Sequence, residues 1–348
     1  MCEYKSYDTD LKGLKDTLLR YGVAVIPNVL NAGELEHMRA GCWDVLETIT
    51  QKFSQPIQRN DQKSWSSFYQ LMPIHSMLLQ HYGVGHAQFV WDVRQNPRVH
   101  QVFSDIWQTP ELLVSYDGLS VHLPPEVTGR GWYLGNNWLH TDQSYTRNDF
   151  ECVQGFVTGY DINEGDASLT ILEGSHQIHI DVAKEFKITD TADWYKLNEE
   201  QLKYYKSRGC DQKVVKCRAG SLVLWDSRTI HAGREPERTR SAPNFRLVVY
   251  VCMTPKKWCR PDRLKRHIEI FEQGRMTTHW PHKPKMFGLN PRTYGRPMPT
   301  TCPLPSPILS PSGRQLVGYD PKPMVKLVLK KKASASASSS AFSSASST

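Results

Sequence analysis

The apolar positions of the first fifty or so residues change period twice. Leu11, Leu14, Leu18 and Leu19 recur at helical spacing, Gly22 interrupts them, and Val23 to Leu30 (VAVIPNVL) is rich in β-branched residues, as a strand is. Asn31 with Glu34 three residues later is a variant of the capping box and predicts a second helix, with Leu35, Met38, Cys42, Val45, Leu46 and Ile49 as its buried stripe. Residues 51–110 are mixed and aromatic-rich, and predict helices and loops without clear bounds. From about 112 to 255 short apolar runs alternate with Gly, Asn and Asp turns. The candidate strands are 112–116, 119–123, 137–142, 151–160, 168–172, 213–217, 221–226 and 245–252. A polar, helix-prone insertion at 175–210 interrupts them, and 256–275 turns helical again. This pattern predicts a mainly β fold with flanking helices. Regular structure is expected to fade beyond Trp280, and no internal repeat is present.

Composition narrows the class. A chain of 348 residues with 39% hydrophobic residues can bury a sizeable core. No apolar run approaches the roughly 20 residues of a membrane-spanning helix, and the N-terminus lacks the basic and apolar regions of a secretory signal. Cys2, Cys42, Cys152, Cys210, Cys217, Cys252, Cys259 and Cys302 form no CxxC pair and are too sparse for a disulfide scaffold. An intracellular, cytoplasmic setting is therefore expected. The net charge of +8 is unevenly spread. Residues 1–233 carry 22 Lys and Arg against 29 Asp and Glu, residues 234–296 carry 15 against 5, and residues 297–348 carry 6 against 1. The basic stretch is either a solvated surface or a site for an anionic ligand, a nucleotide, CoA-like group or nucleic acid among them.

Chemistry first suggests itself in Asn137-Trp138-Leu139-His140-Thr141-Asp142. On a strand, residues i and i+2 share a face, so His140 and Asp142 can offer an imidazole nitrogen and a carboxylate oxygen to one ion. The pair alone is weak, because two polar residues two apart arise often by chance. His231, in a turn after the apolar strand Ala219 to Asp226, could equally be structural. Together the three make the two-histidine, one-carboxylate set that suits non-haem Fe(II) and leaves positions open for substrate and O2. Arg246, in the apolar strand FRLVVYV, is either an edge-strand arginine facing solvent or the partner of an anion, whose bidentate carboxylate would match its planar fork.

With these residues in place, the chain resembles the phytanoyl-CoA dioxygenase family of Fe(II)/2-oxoglutarate oxygenases. The likeness runs from about residue 17 to 253 and is carried by TLLRYGVAVIPNVLNAGELEHMR, WLHTDQSY, the turn Leu169 to His176, RAGSLVLWDSRTIHAG and FRLVVY. It departs at Glu173, where the family usually has proline, and in the long REPERTRSAP stretch before Phe245. That stretch leaves Arg240 as the fallback for the role of Arg246. The resemblance implies a double-stranded β-helix (jelly-roll, cupin-like) core. It implies Fe(II) on His140, Asp142 and His231, 2-oxoglutarate as co-substrate with Arg246 on its far carboxylate, and O2. The implied reaction is hydroxylation of a C–H bond with release of succinate and CO2. Asp142 favours hydroxylation over halogenation, since related halogenases lack the carboxylate. His176 matches a structural turn histidine of the family, while His122 and His179 have no motif support. The block Arg275 to His282 is a candidate lining of the substrate mouth.

The expected organisation is one oxygenase domain over 1–302, with a basic C-terminal extension from about 254. A Pro-rich, then Lys/Ser/Ala-rich disordered tail is expected over 303–348. The expected partner is a small-molecule substrate, possibly an anionic one, whose identity the sequence does not reveal. The alternative is a non-catalytic binding protein of the same fold that uses the 234–296 surface for an anionic or nucleic-acid ligand.

Overall fold

The computed structural model describes residues 7–135 and 138–320. Cys2, Asn137 and the Lys/Ser/Ala-rich end from 321 lie outside the described residues. In chain order the elements are α1 (Leu14–Tyr21), β1 (Val23–Ile26), α2 (Ala32–Ile49), β2 (Leu78–Leu79), α3 (Gln88–Arg94), α4 (Pro97–Trp107), β3 (Leu112–Val114), β4 (Leu119–His122), α5 (Pro125–Thr128) and β5 (His140–Thr141). They continue with β6 (Val153–Thr158), β7 (Ser168–Leu172), α6 (His179–Glu185), β8 (Tyr195–Lys196), α7 (Glu199–Ser207), β9 (Gln212–Val214), β10 (Leu222–Asp226), β11 (His231–Arg234), β12 (Arg246–Pro255), α8 (Pro261–Glu272) and α9 (Pro311–Val317).

Two antiparallel sheets face each other as a double-stranded β-helix. The larger runs β1-β10-β6-β12-β4-β2, with β3 also paired to β12, and the smaller runs β8-β5-β11-β7-β9. Strand period decides what lies between them. On β12, Leu247, Val249, Val251 and Met253 pack outward into the cluster shared with α2, α3 and α4, whereas Val248 joins the cluster between the sheets. By the same alternation Arg246, Tyr250 and Cys252 take the inner face. β10 repeats the pattern, with Leu222 and Leu224 outside and Val223 and Trp225 inside. Both faces are covered, which is why these strands read as continuous apolar runs.

Each strand expected after residue 112 has a counterpart, most of them shorter. The Val23 to Leu30 run stops at Ile26, because Pro27 has no N–H to give a neighbouring strand and Asn28 turns the chain at φ +59°. The capping box is present: the Asn31 side chain accepts from Glu34 N at 2.9 Å, and Glu34 accepts from Asn31 N at 2.8 Å. Met38, Cys42, Val45, Leu46 and Ile49 are buried as the stripe predicts. His231 departs from expectation, since it opens strand β11 instead of lying in a plain turn.

The segment after 302 keeps more order than the tail expected there. Cys302 N donates to Ile49 O, Ile308 N and Ser310 N donate to the side chains of Gln88 and Gln95, and Ser310 caps α9 through Gly313 N. Leu316 and Val317 of α9 are buried in the main core cluster. Two apolar side chains and a set of local caps suffice to hold the short helix, and they are hard to see in a Pro- and Ser-rich stretch.

Candidate metal centre

β5 and β11 are neighbours in the smaller sheet, and His140 pairs directly with His231 in their register. Asp142 follows the end of β5, where its N–H donates to Ser227 O at 3.1 Å. The strand expected over 137–142 is thus paired only at His140 and Thr141, and a bend carries the carboxylate back toward the imidazoles. His140 Nε2 lies 3.6 Å from Asp142 Oδ1, and His231 Nε2 lies 3.3 Å from Asp142 Oδ2. One ligand atom from each of the three lies within 4.8 Å of the others, and all three residues are buried.

The far side of each ring settles whether these groups suit a metal. His140 Nδ1 is 3.0 Å from Trp138 O, and His231 Nδ1 is 2.9 Å from Thr229 O. A carbonyl can only accept, so the proton sits on Nδ1 in both rings and the Nε2 lone pairs face inward. Gln154, on the inner face of β6, donates to Asp142 Oδ2 at 2.9 Å and orients the carboxylate. Two imidazole nitrogens and one carboxylate fit a divalent iron.

Gly22 sets the position of this turn. At φ +77° it ends α1, and its carbonyl accepts from Thr229 Oγ1 at 2.9 Å and from Asp226 N at 3.1 Å. A Cβ there would lie 2.4 Å from Thr229 Oγ1 and 2.6 Å from His176 Nδ1. Thr229 in turn supplies the carbonyl that holds His231, so a tight glycine turn in the N-terminal segment positions a candidate ligand roughly two hundred residues away.

The two candidate arginines differ in what they touch. Arg246 is buried on the inner face of β12, where Nε donates to Ser120 Oγ and Nη1 to Ala167 O, both at 3.1 Å, and its guanidinium lies over Phe156. Burial lowers its pKa, and the adjacent Tyr250 opposes that. Among the described residues no carboxylate forms an ion pair with it. Arg240 is committed elsewhere. Its Nε and Nη2 donate to Glu126 at 2.7 and 2.5 Å, and Nη1 donates to Asp166 at 3.2 Å.

The three other histidines weighed from the sequence pack structurally. His122 bonds Gly131 O, His176 bonds Leu19 O, and His179 bonds Ser144 O while stacking on Tyr145; none joins the ligand group. His279, from the block expected at the mouth, comes nearer, with its Nδ1 4.0 Å from Asp142 Oδ2. Trp138 stacks on His140 at 4.8 Å and donates from its indole to Gly233 O, while the half-exposed Trp194 tilts over the same imidazole at 5.6 Å. Sequence reasoning assigned no role to Gln154 or Trp138, and gave His279 only a place in the block expected at the mouth. Only Gln154 had a usable signal, its inward phase on β6.

The family model for phytanoyl-CoA dioxygenase matches residues 18–241. The Aspergillus versicolor protein "Ava biosynthesis cluster protein O" is 29% identical over 211 residues, which is 58% of this chain. The match covers 66% of that relative, just under two thirds of its length. Among solved structures, hypothetical protein JW0805 from Escherichia coli superposes with a TM-score of 0.56 at 15% identity, covering 90% of this chain and 84% of that one. A Salmonella typhimurium LT2 protein does so with a TM-score of 0.55 at 12% identity, covering 88% of this chain and 82% of that one. At these identities the two structures bear on the fold alone.

Proposed function

Since the chain belongs to the phytanoyl-CoA dioxygenase family of Fe(II)- and 2-oxoglutarate-dependent oxygenases, we propose that it hydroxylates a C–H bond of a small-molecule substrate. In this reading His140, Asp142 and His231 hold the iron and Arg246 holds the far carboxylate of 2-oxoglutarate. The observation that carries it is the pair of Nδ1 contacts to backbone carbonyls, which turn both Nε2 atoms toward one carboxylate. Bound there, Fe(II) with 2-oxoglutarate and O2 would supply the oxidising chemistry, with succinate and CO2 as co-products.

The chain's own part is placement and exclusion of water. Trp138 O and Thr229 O keep both imidazoles in the metal-binding tautomer, and Gln154 fixes one carboxylate oxygen. Arg246 keeps a buried positive charge without a carboxylate partner among the described residues, which suits it to a dicarboxylate, whereas Arg240 already has two acidic partners. The presence of Asp142 supports hydroxylation over halogenation.

Six of the fifteen basic residues of 234–296 are engaged in ion pairs among the described residues. Arg234, Arg240, Lys256, Arg260, Arg266 and Lys283 each have an acidic partner. Among the described residues no helix is long and apolar enough to cross a membrane.

Purified protein given Fe(II), 2-oxoglutarate and O2 should release succinate. Asp142→Ala should lose most of that release while its circular dichroism stays native. Failure of both iron and 2-oxoglutarate to bind the intact protein would refute the oxygenase reading, and full turnover by Asp142→Ala would remove that residue from the ligand set.

A further inference from the structure

The His140 imidazole is held by more than its Nδ1 contact. One hydrogen bond fixes one ring atom, and the torsion that tilts an imidazole is a broad one, so the direction of Nε2 stays loose unless a face of the ring is also held. Trp138 supplies that face. Its indole lies 4.8 Å from the His140 ring with the planes at 14°, close to parallel. The same indole donates from Nε1 to Gly233 O at 2.9 Å, on the strand that His231 opens. A Cβ on Gly233 would lie 3.4 Å from Trp138 Cζ2, so the indole rests directly against that strand. One side chain thus ties together the two strands that carry the imidazoles.

The indole is itself backed by a residue from far earlier in the chain. His75 stacks on Trp138 with ring centroids 3.9 Å apart and planes at 9°, and Trp138 lies between the two imidazoles. The loop that delivers His75 is strained. Met72, His75 and Ser76 all have left-handed backbone, at φ +53°, +48° and +60°, a conformation that is costly for any residue with a side chain. The turn is pinned around them. Ile74 and Leu78 exchange backbone hydrogen bonds at 2.9 and 2.8 Å, Leu78 pairs with Ser120 of β4, and Met77 is fully buried. Strain of this kind persists only where the surroundings over-determine it, and it gathers at functional sites. Here it sets a ring on the indole that backs a candidate ligand.

We propose that His75 is a positioning residue of the metal centre, acting through the Trp138 indole to keep His140 Nε2 aimed at the ion. The inference rests on the ligand set of the oxygenase reading above, and it concerns what holds that set in place.

The test is Co(II) binding to the full-length protein freed of metal, read by chelator competition and by the visible absorption of the bound ion, with urea unfolding alongside. His75→Gly removes the ring and gives the left-handed position to the residue best suited to it, so it should fold about as stably as wild type. Its Co(II) affinity should fall about tenfold, the low end of what outer partners of metal ligands contribute, and the absorption bands should shift. His75→Phe keeps a flat ring and should retain the wild-type affinity and bands. Ser76→Gly relieves the same loop while leaving the His75 ring in place, and should also change neither. Wild-type Co(II) affinity and bands in His75→Gly overturn the proposal and leave the oxygenase reading intact. Weakening of equal size in His75→Phe or in Ser76→Gly also overturns it, since either result takes the ring out of the effect. If His75→Gly does not fold, His75→Asn, which tolerates the left-handed backbone and lacks the ring face, decides by the same criteria. Wild type that takes up neither Co(II) nor Fe(II) brings down the oxygenase reading, and this inference with it.

Discussion

Replacing Arg246 with methionine should weaken 2-oxoglutarate binding while leaving the fold about as stable, and the same change at Arg240 should do the reverse. The Arg246 side chain donates to a hydroxyl and a backbone carbonyl, with no acidic partner among the described residues. Removing it forfeits two bonds worth about 1 kcal/mol each and leaves Ala167 O short of a donor, but also relieves a desolvated cation whose burial costs several kcal/mol. These terms nearly cancel, so unfolding free energy should move by less than about 2 kcal/mol in either direction. The missing fork to the co-substrate carboxylate should cost about 2–4 kcal/mol, roughly thirtyfold to seven-hundredfold in Kd. Arg240→Met strands Asp166, which is buried, and Glu126, which is 28% exposed. Breaking a buried pair costs about 3–5 kcal/mol, and the partial exposure of Glu126 reduces that to roughly 2–4. Urea unfolding and anaerobic calorimetry with Fe(II)-loaded protein measure both quantities on both variants. Unchanged 2-oxoglutarate affinity in Arg246→Met, or its loss in a folded Arg240→Met, would refute the reasoning.

Gly22→Ala should destabilise the protein by about 2–4 kcal/mol, because the left-handed φ and the 2.4 Å approach to Thr229 add together, and it should weaken metal uptake through Thr229 and His231. Gly209→Ala has a similar φ of +82° with open space around it, so it should cost about 1 kcal/mol and leave metal affinity alone. Equal metal affinities in wild type and Gly22→Ala would break that link. The protein should also lose stability on mild acidification. Burial pushes His86, His122, His179 and His267 down to about 4. A depressed histidine pKa means the unfolded chain binds more protons between that value and about 6.5, so stability is complete above about 6.5 and falls as pH drops toward 4. At pH 5 each could cost about 2 kcal/mol, together comparable with the whole stability of a domain. Thermal melts from pH 7.5 to 5 check this, and a flat Tm would contradict it.

Much of this protein was legible along the chain, for reasons of local geometry. Period-2 runs and turn residues mark the strands from 112 onward, and Asn31 with Glu34 marks the start of α2, because those signals depend on neighbours a few residues apart. His140, Asp142 and His231 could be named because two of them lie two residues apart on one strand face and the third follows a recognisable strand. Sequence could not show that His231 and His140 pair directly across β5 and β11, or that a bend after Thr141 returns Asp142 to them. Nor could it separate Arg246 from Arg240, since both lie in reach of the same role and differ only in whether Glu126 and Asp166, over seventy residues away, have claimed the guanidinium. Gln154 and His279 reach the centre from a strand and the C-terminal extension. Such placements are decided by closure of the two sheets and by which polar groups that closure leaves without partners, and neither is a property of any short stretch of chain. The residues proposed to hold the metal were therefore legible in the sequence, while the groups packed around them were settled only when the strands met.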